Sequence, residues 1–369
     1  MTEREARIAF NMVAEVGAMK LAALIERWGS AAEAYERYPV SKKKDWRGEE
    51  PDLSRELKRA EKLGVAILTE EDDGYPAMLR TIASPPLALY VVGSVKALSA
   101  AGAAIVGTRR ATPYGIDSAQ AIAFGLAKAG WAVFSGLALG IDAAAHRGAL
   151  DAKGVTVGVL GGAIDKFYPS ANRALARQIV DSGGAVASEF PFGRSPDAQT
   201  FPQRNRIVSG LSRGVVAVEC SIKSGTLITV NRALEQGRPV MAVPGRIDAP
   251  TSAGCLKLIR EGARLVTCAD DVMEEMAEAG SPPSAAPRLA AARPAAVPRP
   301  AAKSAVAPQP KISLEESMVL RALPDGDDVQ LDSLVRAVKM PVAKLNTLLV
   351  QLRLKRKVKF LPGNRVART

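Results

Sequence analysis

Between residues 65 and 278 the chain alternates short apolar runs with amphipathic stretches that end on glycine, and this alternation leaves few folds open. The runs are AAIVG (103–107), WAVFSG (131–136), VTVGVLGG (155–162), AVASEF (185–190), GVVAVEC (214–220) and PVMAVPG (239–245). The stretches between them close at Gly130, Gly154, Gly183, Gly237 and Gly262. Strands that are apolar on both faces must be covered on both faces. The pattern therefore predicts an α/β domain with a Rossmann-like parallel-sheet core. In such sheets ligands gather at the carboxyl ends of the strands.

Two further parts flank this core. Ile8, Met12, Val13 and Val16, then Leu21, Leu24, Ile25 and Trp28, keep helical spacing on either side of Gly17. Gly29 closes a helix, and Ser30 with Glu33 forms a capping-box pattern for the next. Residues 1–64 thus read as an N-terminal helical domain of helix-hairpin-helix or SAM-like character. Residues 279–311 are mostly Ala, Pro, Ser and basic residues, a flexible linker. Residues 312–369 read as a C-terminal winged helix, with helices near 315–323, 331–338 and 342–354 and a basic hairpin turning at Pro362, Gly363 and Asn364. Lys344, Thr347 and Gln351 face outward on the third helix, where duplex DNA or a protein is the alternative partner.

The net charge of +12 points to a polyanionic partner. Its distribution is more informative than its size. Residues 61–280 carry 22 basic and 21 acidic groups, whereas 281–369 hold 16 and 6. A core that binds nucleic acid must do so through local clusters. Cys220, Cys255 and Cys268 match no metal-ligand spacing and are expected to be buried thiols in a reducing compartment. Charges in MTEREARIAF interrupt any signal-peptide core, and no apolar run approaches a membrane span. The expectation is a cytoplasmic protein with no membrane partner.

Three clusters carry chemistry. Gly107-Thr108-Arg109-Arg110 follows the first core strand and sets amides and guanidinium together, as phosphate binding requires; it is not GxGxxG. The turn 135–142 leads to the lone histidine, His146, four residues after Asp142. That pair is either an acid/base couple or, more simply, a structural pair fixing the loop. Phe201, Arg204, Asn205 and Arg206 open a segment with three arginines and no acid between Ala198 and Val218. Phe167, Tyr168, Phe190 and Phe192 lie close by in sequence, and aromatic faces beside a basic groove hold the bases of a single strand. One or two of these rings at most are expected to reach a ligand.

The succession GTRRATPYG, SGLALGIDAAAHRGAL, GVLGGAIDKFYPSAN, SEFPFG, FPQRNRIVSGLSRGVVAVECSIKSGTLITVNRALEQGRPVMAVPG and SAGCLKLIREGA resembles the DNA processing protein A (DprA/Smf) family across the α/β core. The resemblance implies a non-enzymatic homodimer without cofactor or metal. Such a protein binds single-stranded DNA and loads the RecA recombinase in natural transformation. Carried onto this chain, it implies DNA contacts from Gly107, Thr108, Arg109 and Arg110, from Arg204, Asn205 and Arg206 beside Phe201, and from Lys223, Ser224, Gly225 and Thr226. Some relatives carry lysines where this chain has Ser170 and Ala198; Arg173 and Arg194 are candidates to compensate. Two alternatives stand beside this reading. One is a Rossmann-like nucleotide phosphoribohydrolase, whose phosphate turn Ser224–Thr229 resembles but whose catalytic glutamate is Thr229 here. The other is a winged-helix transcription regulator with an α/β sensor domain.

Overall fold

A computed structural model describes residues 1–278 and, further on, 314–323, 328–338, 340, 345, 348, 349, 352, 357–361 and 365–368. The chain divides into two compact units, Met1–Leu289 and Ala290–Thr369. The expected linker, Lys344, Thr347, Gln351 and the 362–364 turn lie outside the described residues.

The first unit opens with helices α1 (Glu3–Met12), α2 (Ala18–Trp28), α3 (Ala31–Arg37) and α4 (Leu53–Leu63). The complete capping box sits at Thr2 and Glu5, while Ser30 Oγ accepts only from the Glu33 amide, 3.1 Å away. Gly29 ends α2 at φ 92° and Gly64 ends α4 at φ 62°. Phe10 packs edge-on against Tyr35 and Tyr38, with centroids 5.0 and 5.7 Å apart. Ile8 joins Tyr90 and Phe192 in a core shared with the sheet. There the buried Glu56 carboxylate accepts from Tyr90 Oη at 2.8 Å and from the Phe192 amide at 2.9 Å, tying helices to sheet.

The sheet follows: β1 (Ala66–Leu68), α5 (Ala77–Arg80), β2 (Leu89–Gly93), β3 (Gly102–Gly107), α6 (Pro113–Lys128), β4 (Ala132–Ser135), α7 (Ile141–Asp151) and β5 (Thr156–Val159). Then come α8 (Arg173–Asp181), β6 (Ala185–Ser188), α9 (Thr200–Leu211), β7 (Gly214–Val218), α10 (Thr226–Glu235), β8 (Val240–Ala242), α11 (Ala253–Arg260), β9 (Arg264–Leu265) and α12 (Ala269–Glu278). Nine strands lie in the order β1-β2-β6-β5-β4-β3-β7-β8-β9. From β6 to β9 every pairing is parallel, as the apolar runs predict, while β1 and β2 add an antiparallel edge that they do not reveal.

Alternation along the strands feeds two cores. Ala104, Val106, Val215 and Ala217 face α9, α10 and α11; Ala103, Ile105, Val216 and Val218 face α6, α7 and α12. Both faces are therefore covered, which is why the strands are apolar throughout. Four of the five helix-closing glycines adopt positive φ; at the fifth it is Lys153, at φ 54°, that turns left-handed. Gly154 is required for space instead, since a Cβ there would press on Ala127. Cys220 and Cys255 are buried as expected, but Cys268 is exposed, because it lies in the turn that precedes α12.

In the second unit, α13 (Leu314–Arg321) and α14 (Leu331–Val338) accompany β10 (Asp328–Gln330), β11 (Val358–Leu361) and β12 (Arg365–Arg368). These strands form an antiparallel sheet in the order β10-β12-β11, one strand more than the expected hairpin. Val319, Leu334, Leu349, Val358 and Val366 fill its core.

Candidate nucleic-acid interface

Strand order reverses at β3: the chain proceeds through β4, β5 and β6 on one side and returns to β7 on the other. The loops after β3 and β7 therefore diverge and leave a crevice at their carboxyl ends, as switch points of open α/β sheets do. A cleft of about 340 Å³ occupies that place, lined by Gly107, Thr108 and Arg109, by Gly136 and Ala138, by Phe201 and Asn205, and by Ser224, Gly225 and Thr226.

Side chains fix the walls. The β4 turn reaches left-handed φ at Leu137 (54°), a conformation a leucine holds only when its surroundings impose it. Asp142 Oδ2 accepts from the amides of Gly136 (3.1 Å) and Ala138 (3.3 Å), and Asn172 Nδ2 donates to the carbonyls of Leu137 (2.9 Å) and Ala138 (3.0 Å). Burial raises the Asp142 carboxyl above its usual range, against the pull of Arg204, the two amides and Arg109. At the end of β7, Glu219 takes φ 50° and turns its carboxylate onto Thr112, the residue that caps α6. It accepts from the Thr112 amide at 2.9 Å and from the Thr112 hydroxyl, and a Cβ at Gly115 would collide with it. An acid ending an apolar strand was the available sequence signal for Glu219.

The arginines divide by role. Arg109 is exposed and lies 4.6 Å above the Phe201 ring centroid, and among the described residues it has no ion pair or hydrogen bond. Arg204 is 4 % exposed and donates Nη1 to the carbonyls of Gly136 and Val159 and Nε to Asn205 Oδ1 at 3.2 Å. Burial lowers it to about 10, opposed by Asp142 and reinforced by Arg109. Arg206 is paired with Glu189 and donates to the Ser84 carbonyl. Arg204 and Arg206, expected among the DNA contacts, thus have their donors taken up within the protein. The first braces the cleft floor and the second a neighbouring wall, because buried carbonyls and a carboxylate take up their donors.

Ser224, Gly225 and Thr226 sit where α10 begins with no side-chain cap; Ser224 Oγ donates to Thr226 Oγ1 at 2.9 Å and accepts from the Thr226 amide at 3.1 Å. The positive end of a helix dipole thereby lies against the cleft. Arg110 and Lys223 are exposed next to lining residues, whereas Arg173 lines a separate depression with Phe167 and Arg177. Of the nearby rings, Phe190 and Phe192 are core, while Tyr168 is 52 % exposed with its centroid 6.3 Å from that of Phe201. Tyr168 and Phe201 are the pair available to a ligand.

Asp142 and His146 do not form a couple. His146 is buried, with Nδ1 2.7 Å from Thr156 Oγ1. That hydroxyl already donates to the Val133 carbonyl at 2.7 Å, so it accepts from a protonated Nδ1. Burial, then Arg204, depresses the ring to about 3, so it is neutral and enclosed at neutral pH. The described residues hold no group of three or more metal-ligating side chains and no helix long and apolar enough to cross a membrane.

Comparison with known proteins agrees with this architecture. The family model described as DNA recombination-mediator protein A matches residues 66–277, and the DprA winged helix domain matches 299–364. Protein Smf of Escherichia coli is 41 % identical over 210 residues, covering 57 % of this chain and 56 % of that protein. DNA processing protein DprA of Bacillus subtilis is 40 % identical over 229 residues, covering 62 % of this chain and 77 % of that one. Among solved structures, DprA of Streptococcus pneumoniae superposes with a TM-score of 0.60 at 33 % identity, covering 74 % of this chain and 95 % of the other. DNA processing protein A of Helicobacter pylori, solved for its single-stranded-DNA binding mode, superposes at 0.52 and 29 % identity over 58 % of this chain and 96 % of that one. With a switch-point cleft inside the matched core and a winged helix beyond it, the chain belongs to the DNA recombination-mediator protein A (DprA) family.

Proposed function

We propose that the protein is a cytoplasmic recombination mediator without chemistry of its own. It binds single-stranded DNA in the switch-point cleft, works as a homodimer and hands the strand to a RecA recombinase during natural transformation. The carrying observation is Arg109: an exposed guanidinium with no anionic partner among the described residues, stacked on Phe201 and lining the same cleft as the start of α10. A strand laid there meets the Arg109 guanidinium and the positive end of the α10 dipole for one phosphate and the Phe201 and Tyr168 rings for a base. Its relatives' names point the same way. The proposed division of labour keeps helical residues 1–64, core 65–278, linker 279–311 and winged helix 312–369, the last for duplex DNA or protein.

The reading without chemistry rests on the same residues. Asp142 is committed to two amides, His146 is enclosed, and Thr229 stands where the phosphoribohydrolase glutamate would be. The test is binding to single- and double-stranded oligonucleotides at two salt concentrations, for the parent and Arg109→Ala. Tighter single-strand binding that weakens in the variant supports the proposal; equal affinity for both forms, untouched by the variant, overturns it.

A further inference from the structure

A second cleft, about 630 Å³, opens where the N-terminal helices meet the core. Its boundary with the first is a single helix turn. Ala198, Phe201 and Asn205 line the switch-point cleft, while Gln199, Gln203 and Arg206 line the second. Each of those triplets follows helical spacing near the start of α9, so the two clefts occupy neighbouring flanks of one helix. Consecutive residues Ala198 and Gln199 fall on opposite sides of the divide, and consecutive Cα atoms stand about 3.8 Å apart. A chain leaving the first cleft over that turn enters the second directly.

The chemistry of the second cleft suits a base and not a phosphate. Its cations are already matched: Arg206 by Glu189 and the Ser84 carbonyl, and Arg194 by Asp197 at 2.6 Å. Glu15 and Glu189 would repel an anion further. What the cleft offers instead is the Trp46 ring, the exposed amides of Gln199 and Gln203, and Glu189. Glu189 Oε1 is buried and, among the described residues, has no hydrogen-bond partner, an unsatisfied state that a donor on a ligand would relieve. Asn11 Nδ2 donates to the Glu189 carbonyl at 2.9 Å, which binds α1 to the same wall. An uncharged planar ligand with a flat face and an edge of donors and acceptors fits these groups, and a nucleobase is that ligand.

We propose that this second cleft, at the junction of α1, α2 and α9, receives a nucleobase of the same single strand whose phosphate sits at Arg109, so that the N-terminal helices share in DNA binding. The inference rests on the proposed single-strand function of the first cleft. Its test is fluorescence-monitored binding of oligodeoxynucleotides of graded length to the full chain, comparing parent, Trp46→Ala, Gln203→Ala and Arg109→Ala. Loss of one stacked base lowers affinity by about tenfold, and loss of a neutral contact leaves the salt dependence alone. Trp46→Ala should therefore weaken long strands about tenfold, Gln203→Ala should weaken them less, and in both the slope against salt stays at the parent value. Oligonucleotides too short to cross α9 should bind both variants as they bind the parent. Gln203 is exposed, so its replacement reports on the cleft even where Trp46→Ala disturbs folding. Unchanged long-strand affinity in Gln203→Ala, a loss uniform across lengths, or an altered salt slope overturns the proposal. If Arg109→Ala alone is without effect, the first-cleft reading fails instead.

Discussion

Replacing Arg204 by methionine should unfold the protein more readily, not merely weaken its hold on DNA. Met fills a similar channel but removes the donors to the Gly136 and Val159 carbonyls and the positive charge facing Asp142. Two buried acceptors left unmatched cost about 1–3 kcal/mol each, and removing one member of a buried charge pair costs about 3–5 kcal/mol. These effects overlap, so about 4 kcal/mol in all is the working figure. At about 2–4 °C per kcal/mol for a domain of this size, the melting temperature should fall by roughly 10 °C. Denaturant titration and thermal unfolding, run beside DNA binding below the transition, separate the roles. A variant that melts with the parent yet has lost binding would refute the assignment of Arg204 as a brace and return it to the DNA surface.

Arg109→Ala should do the converse: unchanged melting, weaker binding across all sequences, and a log-affinity slope against log salt flatter by about 0.7, the share of one phosphate on a single strand. His146 has a folded value near 3 against 6.5 when unfolded, so between these the unfolded chain binds more protons. Its contribution is complete above about pH 6.5 and falls by about 1.4 kcal/mol per pH unit on acidification toward 3; His146→Gln should flatten that part of the stability profile. Glu219→Ala should cost about 1–2 kcal/mol through the lost acceptor for Thr112, the residue that caps α6, read by denaturant midpoint, with the salt slope untouched. Truncation after Glu278 should cost little single-strand affinity; a loss beyond about 100-fold, roughly 2.7 kcal/mol, would move the main site into the tail.

The core strands themselves and the position of the Gly107-Thr108-Arg109 turn were legible because both follow from local patterns: apolar runs, closing glycines, and a hydroxyl and a cation after a strand; the order in which the strands lie side by side was not. The meeting of that turn with Ser224, Gly225 and Thr226 follows from the switch point, which the fold class implies. The fate of Arg204 and Arg206 was not legible. A charge count treats every guanidinium alike, and whether one meets a carbonyl, a carboxylate or water depends on partners up to 122 residues away. Nor do the apolar runs announce β1 and β2, since only three residue pairs join them and the chain between includes α5 and a Ser-Pro-Pro stretch. The second cleft was equally hidden, being made by the docking of α1 and α2 against a core whose surface composition does not mark it.

The two margins of the large sheet have a consequence for assembly. One margin is β1, three residues long, and the other is β9, two residues long. Neither presents the row of free amides and carbonyls on which a foreign strand could zip itself. Edge pairing at either margin could join at most a few residues, which leaves side chains on helices and loops as the broader surface. Brief margins of this kind keep a sheet that is apolar on both faces from becoming a template for its own extension.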